Sequence, residues 1–240
     1  MKIIAISELS IYNDLKKICR TKKISIEKKI ALRIEKINIE DKINNTPISL
    51  VDNIIFQSKN AVKYSNAIHE DIAKNPKAKI YCIGKYTKLE VKKLFKNKVI
   101  HPEKDYSSEE LMRLIKREKE ENDSYVVIKG EDGRSYIGDN LIKLGKVVDE
   151  LNVYRREEIA GFINNSDLSD NENNYVLVSS KTALNVFNKC IKDAHKNIIL
   201  VVPNQRLIEE VKRNLFGDII IITNNNAAED YIKKIQEHNG

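Results

Sequence analysis

The sequence has few of the residues that most directly indicate a metal site, a disulfide framework or thiol chemistry. Its 240 residues include only three cysteines and four histidines. Cys19, Cys82 and Cys190 are odd in number and fit no zinc or redox spacing, so we expect reduced structural thiols. Because no histidine pairs with a cysteine or an acidic residue at ligand spacing, we also expect no metal and no cofactor.

The chain also has no long apolar run near its start. The stretch MKIIAI is too short for a signal peptide or a membrane span, so we expect a cytoplasmic protein with no membrane partner. Hydrophobic residues still make up 41% of the chain, which is enough for a packed core. The length suits one large domain or two small ones.

The sequence has no long block of basic residues, although its formal net charge is +7. That excess of lysine and arginine fits nucleic acid, an acidic membrane surface or an anionic small molecule. The chain has no tryptophan, no RNP-like motif and no helix-turn-helix or zinc-finger signature, so we expect no nucleic-acid partner.

Familiar catalytic signatures are missing as well. The sequence has no GxSxG elbow, no HExxH motif and no cysteine with a matching histidine. The turn GEDG at Gly130 to Gly133 is neither GxGxxG nor a P-loop, so a nucleotide site has no specific support. An enzyme built on this chain would work mainly by positioning and electrostatics.

Short apolar runs alternate with helical patterns, which is typical of parallel sheets covered by helices. The pairs Thr87/Glu90 and Ser107/Glu110 fit capping boxes, and Gly145 fits a helix C-terminus. The polar stretch 164–174 is predicted to be an exposed connection. Predicted strands are 2–6, 52–56, 79–83, 98–100, 125–128, 147–153, 175–178, 197–202 and 218–222.

Three segments recur in the same order about 120 residues apart. SKNAV at Ser58 is echoed by SKTAL at Ser180, the segment from Lys79 by the one from Asn197, and the segment from Ser107 by the one from Ala227. The repeat predicts two similar α/β domains, each a parallel β-sheet flanked by helices, joined by a two-stranded linker. We expect domain 1 to comprise 1–35 and 159–240, domain 2 to comprise 45–148, and 36–44 with 149–158 to be the connecting strands, of which KINIE from Lys36 is one.

Anions bind beyond the carboxyl ends of parallel strands, beside helix N-termini. The repeated junctions supply several such ends, and two facing domains would direct them at one cleft. Ser58, Thr87 and Ser180 are also explained as N-caps, each contributing about 1 kcal/mol to its helix, and the two roles are compatible. The candidate binding residues are Ser58, Lys59, Gly84, Lys85, Thr87, Gly130, Arg134, Ser180, Lys181 and Gln205.

Tyr154, in the stretch NVYRRE, is the strongest catalytic candidate. A tyrosine at the end of an interdomain strand can point its hydroxyl into a cleft. The alternative is a strand aromatic that only packs in the core.

The order of these motifs resembles the uroporphyrinogen-III synthase family. The matching segments are IIFQSKNAV, IYCIGKYTKLEV, SSEEL and the run from GEDGR to VYRR, followed by VLVSSKTAL and ILVVPNQRLIEEV. They span nearly the whole chain, and the set is more specific than any one of them.

The resemblance implies two α/β domains and a cofactor-free enzyme whose substrate is hydroxymethylbilane, a linear tetrapyrrole with many carboxylates. The family closes the ring while inverting the last pyrrole, through an azafulvene and a spiro intermediate. It implies that Tyr154 assists departure of the hydroxyl and that Ser58, Thr87 and Ser180 face the cleft. From charge, we expect Lys59, Lys85 and Lys181 to pair with substrate carboxylates, and we expect a monomer.

The sequence departs from the family pattern at two motifs, and the altered second-half motif keeps an alternative open. Val202 stands where glycine is usual and Gln205 where a hydroxyl is usual, and the N-terminal arginine motif is replaced by ISELS. The alternative is a non-catalytic sensor on the same fold that binds a tetrapyrrole or another anion.

Overall fold

The computed structural model describes residues 1–6, 12–39, 47–103, 105–118, 124–191, 195–203, 205–222 and 227–240. The chain divides into two compact units. Unit 1 comprises Met1–Arg33 and Glu157–Gly240, and unit 2 comprises Ile34–Arg156.

Strands and helices alternate along most of each unit, as the sequence pattern predicts, but the strand Ser25–Lys29 is not among the predicted strands and is followed directly by the strand Leu32–Lys36. The strands are β1 Lys2–Ile6, β2 Ser25–Lys29, β3 Leu32–Lys36, β4 Asn53–Phe56, β5 Lys79–Cys82, β6 Val99–Ile100, β7 Ser124–Gly130, β8 Val147–Glu158, β9 Asn174–Val178, β10 His195–Val202 and β11 Phe216–Ile221. The helices are α1 Tyr12–Thr21, α2 Lys59–Tyr64, α3 His69–Ala73, α4 Lys85–Leu94, α5 Ser108–Arg117, α6 Tyr136–Lys143, α7 Lys181–Cys190 and α8 Ala228–Asn239. Short 3-10 turns are Ile48–Leu50, Asn66–Ile68, Asn165–Asp167, Gln205–Glu210 and Arg213–Leu215.

Both sheets are mainly parallel. The sheet of unit 1 has the order β11-β10-β9-β1-β2, and the other sheet has the order β3-β8-β7-β4-β5-β6. Side chains on successive β4 residues alternate between two core clusters, with Ile54 and Phe56 in one and Ile55 in the other. Burial on both faces explains why the central strands are continuous apolar runs. The predicted fold class, two α/β domains with parallel sheets flanked by helices, is confirmed.

The strands β3 and β8 run through the points where the chain passes between the units. Hydrogen bonds join Ile37 N to Val153 O at 3.0 Å and Ile159 N to Ala31 O at 2.9 Å. The residue numbers rise along one segment while they fall along the other, which is the order of an antiparallel pair.

The predicted strand KINIE is displaced. The strand β3 ends at Lys36, Ile37–Ile39 lie outside it, and Glu40 lies outside the described residues. The alternation of apolar and polar residues breaks at Glu35 and Lys36, which are both polar, and β3 ends at this break.

Serine hydroxyls begin three helices. Ser58, Ser107 and Ser180 accept hydrogen bonds from the backbone N–H groups of the residues three positions on, at 3.1 to 3.2 Å. The predicted capping box at Thr87 is wrong: α4 begins at Lys85 with Gly84 as its N-cap, and Thr87 lies buried inside the first turn. The chain leaves β5 at Cys82 and enters the helix too early for Thr87 to cap it.

The end of α6 confirms the prediction for Gly145. This residue has φ +77°, its N–H bonds Ile142 O at 2.9 Å, and the next N–H bonds Leu141 O at 3.1 Å. The two bonds form a Schellman motif, which favours glycine at the left-handed position.

The predicted exposed connection at 164–174 is more ordered than its composition indicates. Asn164 and Asp167 form a capping box around a 3-10 turn, and Asn174 is fully buried at the start of β9. The side-chain amide of Asn174 donates to Ser169 O at 2.8 Å.

Asp167 gives unit 1 an acid-sensitive contact. The Lys29 ammonium lies 2.5 Å from its carboxylate, and the Asn164 N–H donates to it at 2.8 Å. These hydrogen bonds lower the pKa of Asp167. The stability from a lowered carboxyl pKa is present above the unfolded pKa and is lost as pH falls through the folded pKa. We therefore expect Asp167→Asn to flatten the decrease in unfolding free energy below about pH 4, measured by urea unfolding at several pH values.

The exposed Asp170 supplies the matched control for the loss of one carboxylate near the same turn. Asp170→Asn should keep the wild-type slope. An unchanged slope in Asp167→Asn would contradict the assigned contact.

Candidate functional site

Residues predicted to bind or react lie in one row along the carboxyl edge of the unit 2 sheet. Phe56 pairs in register with Cys82 on one side and Ile128 on the other. Two positions further along each segment come Ser58, Gly84 and Gly130, and Gly130 pairs with Tyr154. We call Ser58, Gly84, Gly130 and Tyr154 the edge row.

Two hydroxyl groups meet within the edge row. The Oγ of Ser58 lies 3.1 Å from the Oη of Tyr154, and either atom can be the donor. The same Oγ accepts the Ala61 N–H and so caps α2. Ser58 therefore has the capping role that the sequence allows, and its hydroxyl also contacts the candidate catalytic residue.

A β-bulge sets the position of Tyr154. The strands β7 and β8 pair in constant register up to Lys129, which faces Asn152, and then Gly130 faces Tyr154. The extra residue, Val153, is skipped, so Val153 and Tyr154 belong to the same core cluster. Bulges of this kind redirect side chains at sheet edges.

Tyr154 is only 3% exposed, and its ring packs against Gly130. A Cβ at Gly130 would lie 2.6 Å from Cζ of the ring and 3.0 Å from the hydroxyl oxygen. Tyr64 packs on the ring with a centroid distance of 5.9 Å. Core packing, the alternative raised by the sequence, therefore describes the ring, while the hydroxyl meets Ser58 at the edge.

Sequence reasoning missed two charged residues beside this hydroxyl. Arg156 Nη2 donates to Tyr154 Oη at 3.4 Å, and Nη1 donates to both carboxylate oxygens of Asp132 at 2.6 and 2.7 Å. Burial lowers the pKa of the guanidinium, but Tyr154 and Asp132 outweigh it and the pKa is raised. Arg156 therefore remains a cation. Strand alternation places Tyr154 and Arg156 on the same face of β8, so the letters VYRR carry a signal for Arg156, whereas GEDG carries none that Asp132 reaches it.

The turn after β7 is tied to the same strand. Glu131 N donates to Tyr154 O at 2.9 Å, and Gly133 N donates to Gly130 O at 2.8 Å. The side-chain amide of Gln57 donates to Arg134 O at 3.1 Å. The turn is fixed on both sides, which holds Asp132 in reach of Arg156.

Lys129 stabilises this turn through a buried ammonium group. Its residue is 3% exposed, its Nζ lies 2.7 Å from Glu150 Oε2, and it donates to Gly133 O and Ser135 Oγ at 3.3 Å. We expect Glu150→Gln to lower the unfolding free energy by about 2–3 kcal/mol, because it leaves a buried cation without its carboxylate. Chemical denaturation measures the change.

The exposed Lys74–Asp71 pair provides the control for Glu150→Gln. Asp71→Asn removes the acid from a solvent-screened pair and should cost less than about 1 kcal/mol. Equal losses in the two variants would contradict a buried role for Lys129.

Other predicted residues of unit 2 lie around the edge row. Lys59 and Lys85 are exposed in the first turns of α2 and α4. Gly84 has φ −119°, which any residue adopts. The Arg134 guanidinium is exposed and donates to Glu109 at 2.8 Å.

The remaining predicted residues belong to unit 1. Ser180 caps α7, Lys181 is exposed in its first turn, and Gln205 is exposed at the start of a 3-10 turn. Val202 is fully buried at the end of β10. In unit 2 the helix α4 follows β5. At the corresponding place in unit 1, a 3-10 turn follows β10.

Two cavities in the described part of the chain, of about 640 Å³ and about 480 Å³, are lined by other residues. The larger opens beyond β6, where His101 Nε2 lies 2.5 Å from the Lys88 ammonium. The smaller is in unit 1, beside Gly161 and Cys190. Neither is lined by a predicted site residue.

Thiols and metal-binding clusters offer no rival site in the described part of the chain. The three cysteines are free, and burial raises the pKa of Cys82 to about 12 and also raises that of Cys19. Within the described ranges, no three His, Cys, Asp or Glu residues are grouped so that they can hold a metal ion. The helices of those ranges are all too short or too polar to cross a membrane.

Comparison with known proteins decides the family. The family model described as Uroporphyrinogen-III synthase HemD matches residues 31–228, which include the edge row and every other candidate residue. The chain belongs to the uroporphyrinogen-III synthase family. The resemblance found in its motifs is therefore confirmed.

Individual relatives agree with the uroporphyrinogen-III synthase assignment. A uroporphyrinogen-III synthase of Proteus mirabilis is 31% identical over 120 residues, which is 49% of this chain. The match spans 59% of that relative, so the chain covers less than two thirds of its length.

Solved structures of the uroporphyrinogen-III synthase family share the fold. The enzyme of Helicobacter pylori is 14% identical with a TM-score of 0.64, over 99% of this chain and 100% of that chain. A mutant enzyme of Thermus thermophilus is 11% identical with a TM-score of 0.62, over the same shares. At these identities the likeness concerns the fold alone.

Proposed function

We propose that this protein is a uroporphyrinogen-III synthase, which cyclises hydroxymethylbilane and inverts the last pyrrole ring. Family membership supports the reaction class. The single observation that carries the proposal is the contact between the Ser58 and Tyr154 hydroxyls at the carboxyl edge of the unit 2 sheet. This edge is where ligands of parallel α/β sheets bind.

Tyr154 acts as the proton donor in the first step. The C–O bond of the substrate hydroxymethyl group breaks, the phenol proton moves to the departing oxygen, and water leaves. The pyrrole nitrogen supplies the electron pair that forms the azafulvenium cation. Attack by the substituted carbon of the last ring gives the spiro intermediate, and reopening with reclosure inverts that ring. The proton released at reclosure returns to the phenolate, so one water is lost overall.

Substrate carboxylates bind to the helix N-termini and to exposed cations. Lys59 and Lys85 lie in the first turns of α2 and α4, beside Ser58 and Gly84 of the edge row. Arg134 follows Gly130 and would exchange Glu109 for a substrate carboxylate. In unit 1, Ser180, Lys181 and Gln205 form the corresponding set. Thr87 is buried within the first turn of α4, and we assign it a packing role there.

The reaction needs proton transfer and charge stabilisation, which phenol, hydroxyl and backbone N–H groups supply. We therefore propose turnover without a metal or an organic cofactor. We also propose that the enzyme is a monomer and that it is cytoplasmic. Size-exclusion chromatography with light scattering tests the monomer; a dimer mass would contradict it.

A non-catalytic sensor on the same fold is the second candidate. It is favoured by Val202, which is fully buried where the family usually has glycine, and by Gln205 in place of a hydroxyl. A sensor would bind a tetrapyrrole without converting it.

Product analysis separates the two candidates. Freshly generated hydroxymethylbilane is added to the purified protein, the products are oxidised, and isomers I and III are separated chromatographically. Isomer III above the spontaneous isomer I background supports the synthase. Isomer I alone, with saturable binding of the linear tetrapyrrole, supports the sensor.

A further inference from the structure

We propose that Arg156, oriented by Asp132, is a positioning residue that keeps the Tyr154 proton available to the departing hydroxyl. The inference deepens the proposed function and rests on it. It starts from a chain of contacts on one face of β8: Asp132 to Arg156 to Tyr154 to Ser58.

The direction of the Arg156 bond is fixed by its groups, and the inference assigns the Ser58 hydroxyl as the donor to Tyr154. A guanidinium has only donors, so the Arg156 contact at 3.4 Å occupies a lone pair of the phenol oxygen. Ser58 Oγ already accepts the Ala61 N–H, and its own proton is free to point at Tyr154. With Arg156 and Ser58 both donating, the two lone pairs of the phenol oxygen are occupied. The phenol proton then points away from both groups and is available to the departing hydroxyl of the substrate.

Arg156 also stabilises the state that follows proton transfer. Once Tyr154 has given its proton to the departing oxygen, a phenolate remains beside a fixed cation. The guanidinium carbon lies 5.4 Å from the ring centroid, and Asp132 holds the guanidinium through Nη1 alone. Nη2 is therefore left to strengthen its bond to the phenolate, without any movement of the arginine.

The neighbouring residue on the same strand offers a matched control. Arg155 points to the opposite face of β8, where its guanidinium donates to Glu35 at 3.2 Å. Arg155→Ala and Arg156→Ala remove the same side chain and the same charge, one residue apart. Only the second removes the contact with Tyr154.

The experiment measures kcat and KM for isomer III in the wild type, Arg156→Ala, Arg156→Lys, Asp132→Asn and Arg155→Ala. We expect Arg156→Ala to lower kcat by about 10- to 100-fold and to change KM by less than about threefold. Arg156→Lys should recover part of kcat, because it restores a cation that donates. Asp132→Asn should lower kcat by several-fold, because Arg156 remains but loses its orienting partner. Arg155→Ala should keep the wild-type kcat.

Guanidinium ion, added at a non-denaturing concentration, separates positioning from folding. It should raise the kcat of Arg156→Ala and leave Arg155→Ala unchanged, because only the first variant has a vacant site beside the phenol. Thermal unfolding of each variant is followed alongside.

The outcomes distinguish the inference from the proposed function. If the wild type makes isomer III and Arg156→Ala keeps its kcat, or raises KM alone, the inference is overturned and the function stands. A kcat loss that follows loss of folded protein and is not rescued by guanidinium also overturns it. If the wild type makes no isomer III, the proposed function fails, and the inference fails with it.

Discussion

Replacing Tyr154 with phenylalanine is expected to lower kcat for isomer III by about 100- to 1,000-fold, while KM changes by less than about threefold. The variant keeps the ring that fills the space against Gly130 and Tyr64. It loses the hydroxyl that contacts Ser58 at 3.1 Å. The unfolding free energy should fall by only about 1 kcal/mol, because the lost contacts are neutral or partly exposed hydrogen bonds. Steady-state kinetics and urea unfolding measure the two effects.

Tyr81→Phe is the control for this variant. Tyr81 is also buried in unit 2, but it belongs to the cluster on the other face of the sheet. Its loss of a hydroxyl should leave kcat near the wild-type value. A wild-type kcat in Tyr154→Phe would remove the residue from the mechanism and leave it a packing role.

Gly130→Ala should abolish most of the activity with a single methyl group. The added Cβ would lie 2.6 Å from Cζ and 2.7 Å from Cε2 of Tyr154, closer than carbon atoms approach. Tyr64 also packs on the ring, so we expect the displaced ring to lose the hydroxyl contact with Ser58. We expect kcat to fall by about 100-fold, since a misplacement near 1 Å has that effect, and the unfolding free energy to fall by about 1–3 kcal/mol.

Combining Gly130→Ala with Tyr154→Ala shows whether the added methyl group clashes with the Tyr154 ring. In a Tyr154→Ala background the ring is absent, so Gly130→Ala should cost little further stability. Gly145→Ala provides a control, since it strains a residue at φ +77° with no atom within 4 Å and should leave kcat unchanged. Additive losses of unfolding free energy in the double variant would contradict the contact.

The parts of the site that depend on local chemistry are predictable from the sequence. Ser58 and Ser180 each follow a buried strand and precede a helix, and serine satisfies the free N–H groups there. The fold class follows for the same reason, because strand and helix periods alternate along the chain. The failure at Thr87 shows the limit: the T-x-x-E pattern is present, but the length of the connection from β5 decides where α4 begins.

The contact partners of Tyr154 depend on pairing between distant segments. The sequence identifies Tyr154 as a candidate, and strand alternation places Arg156 on the same face, but the bulge at Val153 decides that Tyr154 faces Gly130. No local pattern in VYRR specifies a one-residue shift of register. Asp132 joins the site only because the turn after β7 is tied to β8.

The most direct test of the account is a double-mutant cycle between Ser58 and Tyr154. Single-turnover formation of isomer III is measured with enzyme in excess, for the wild type, Ser58→Ala, Tyr154→Phe and the double variant. Because the two hydroxyls act as one unit, the double variant should be hardly slower than Tyr154→Phe alone. Independent effects, with the two losses multiplying in the double variant, would contradict the claim that this pair is the reacting site.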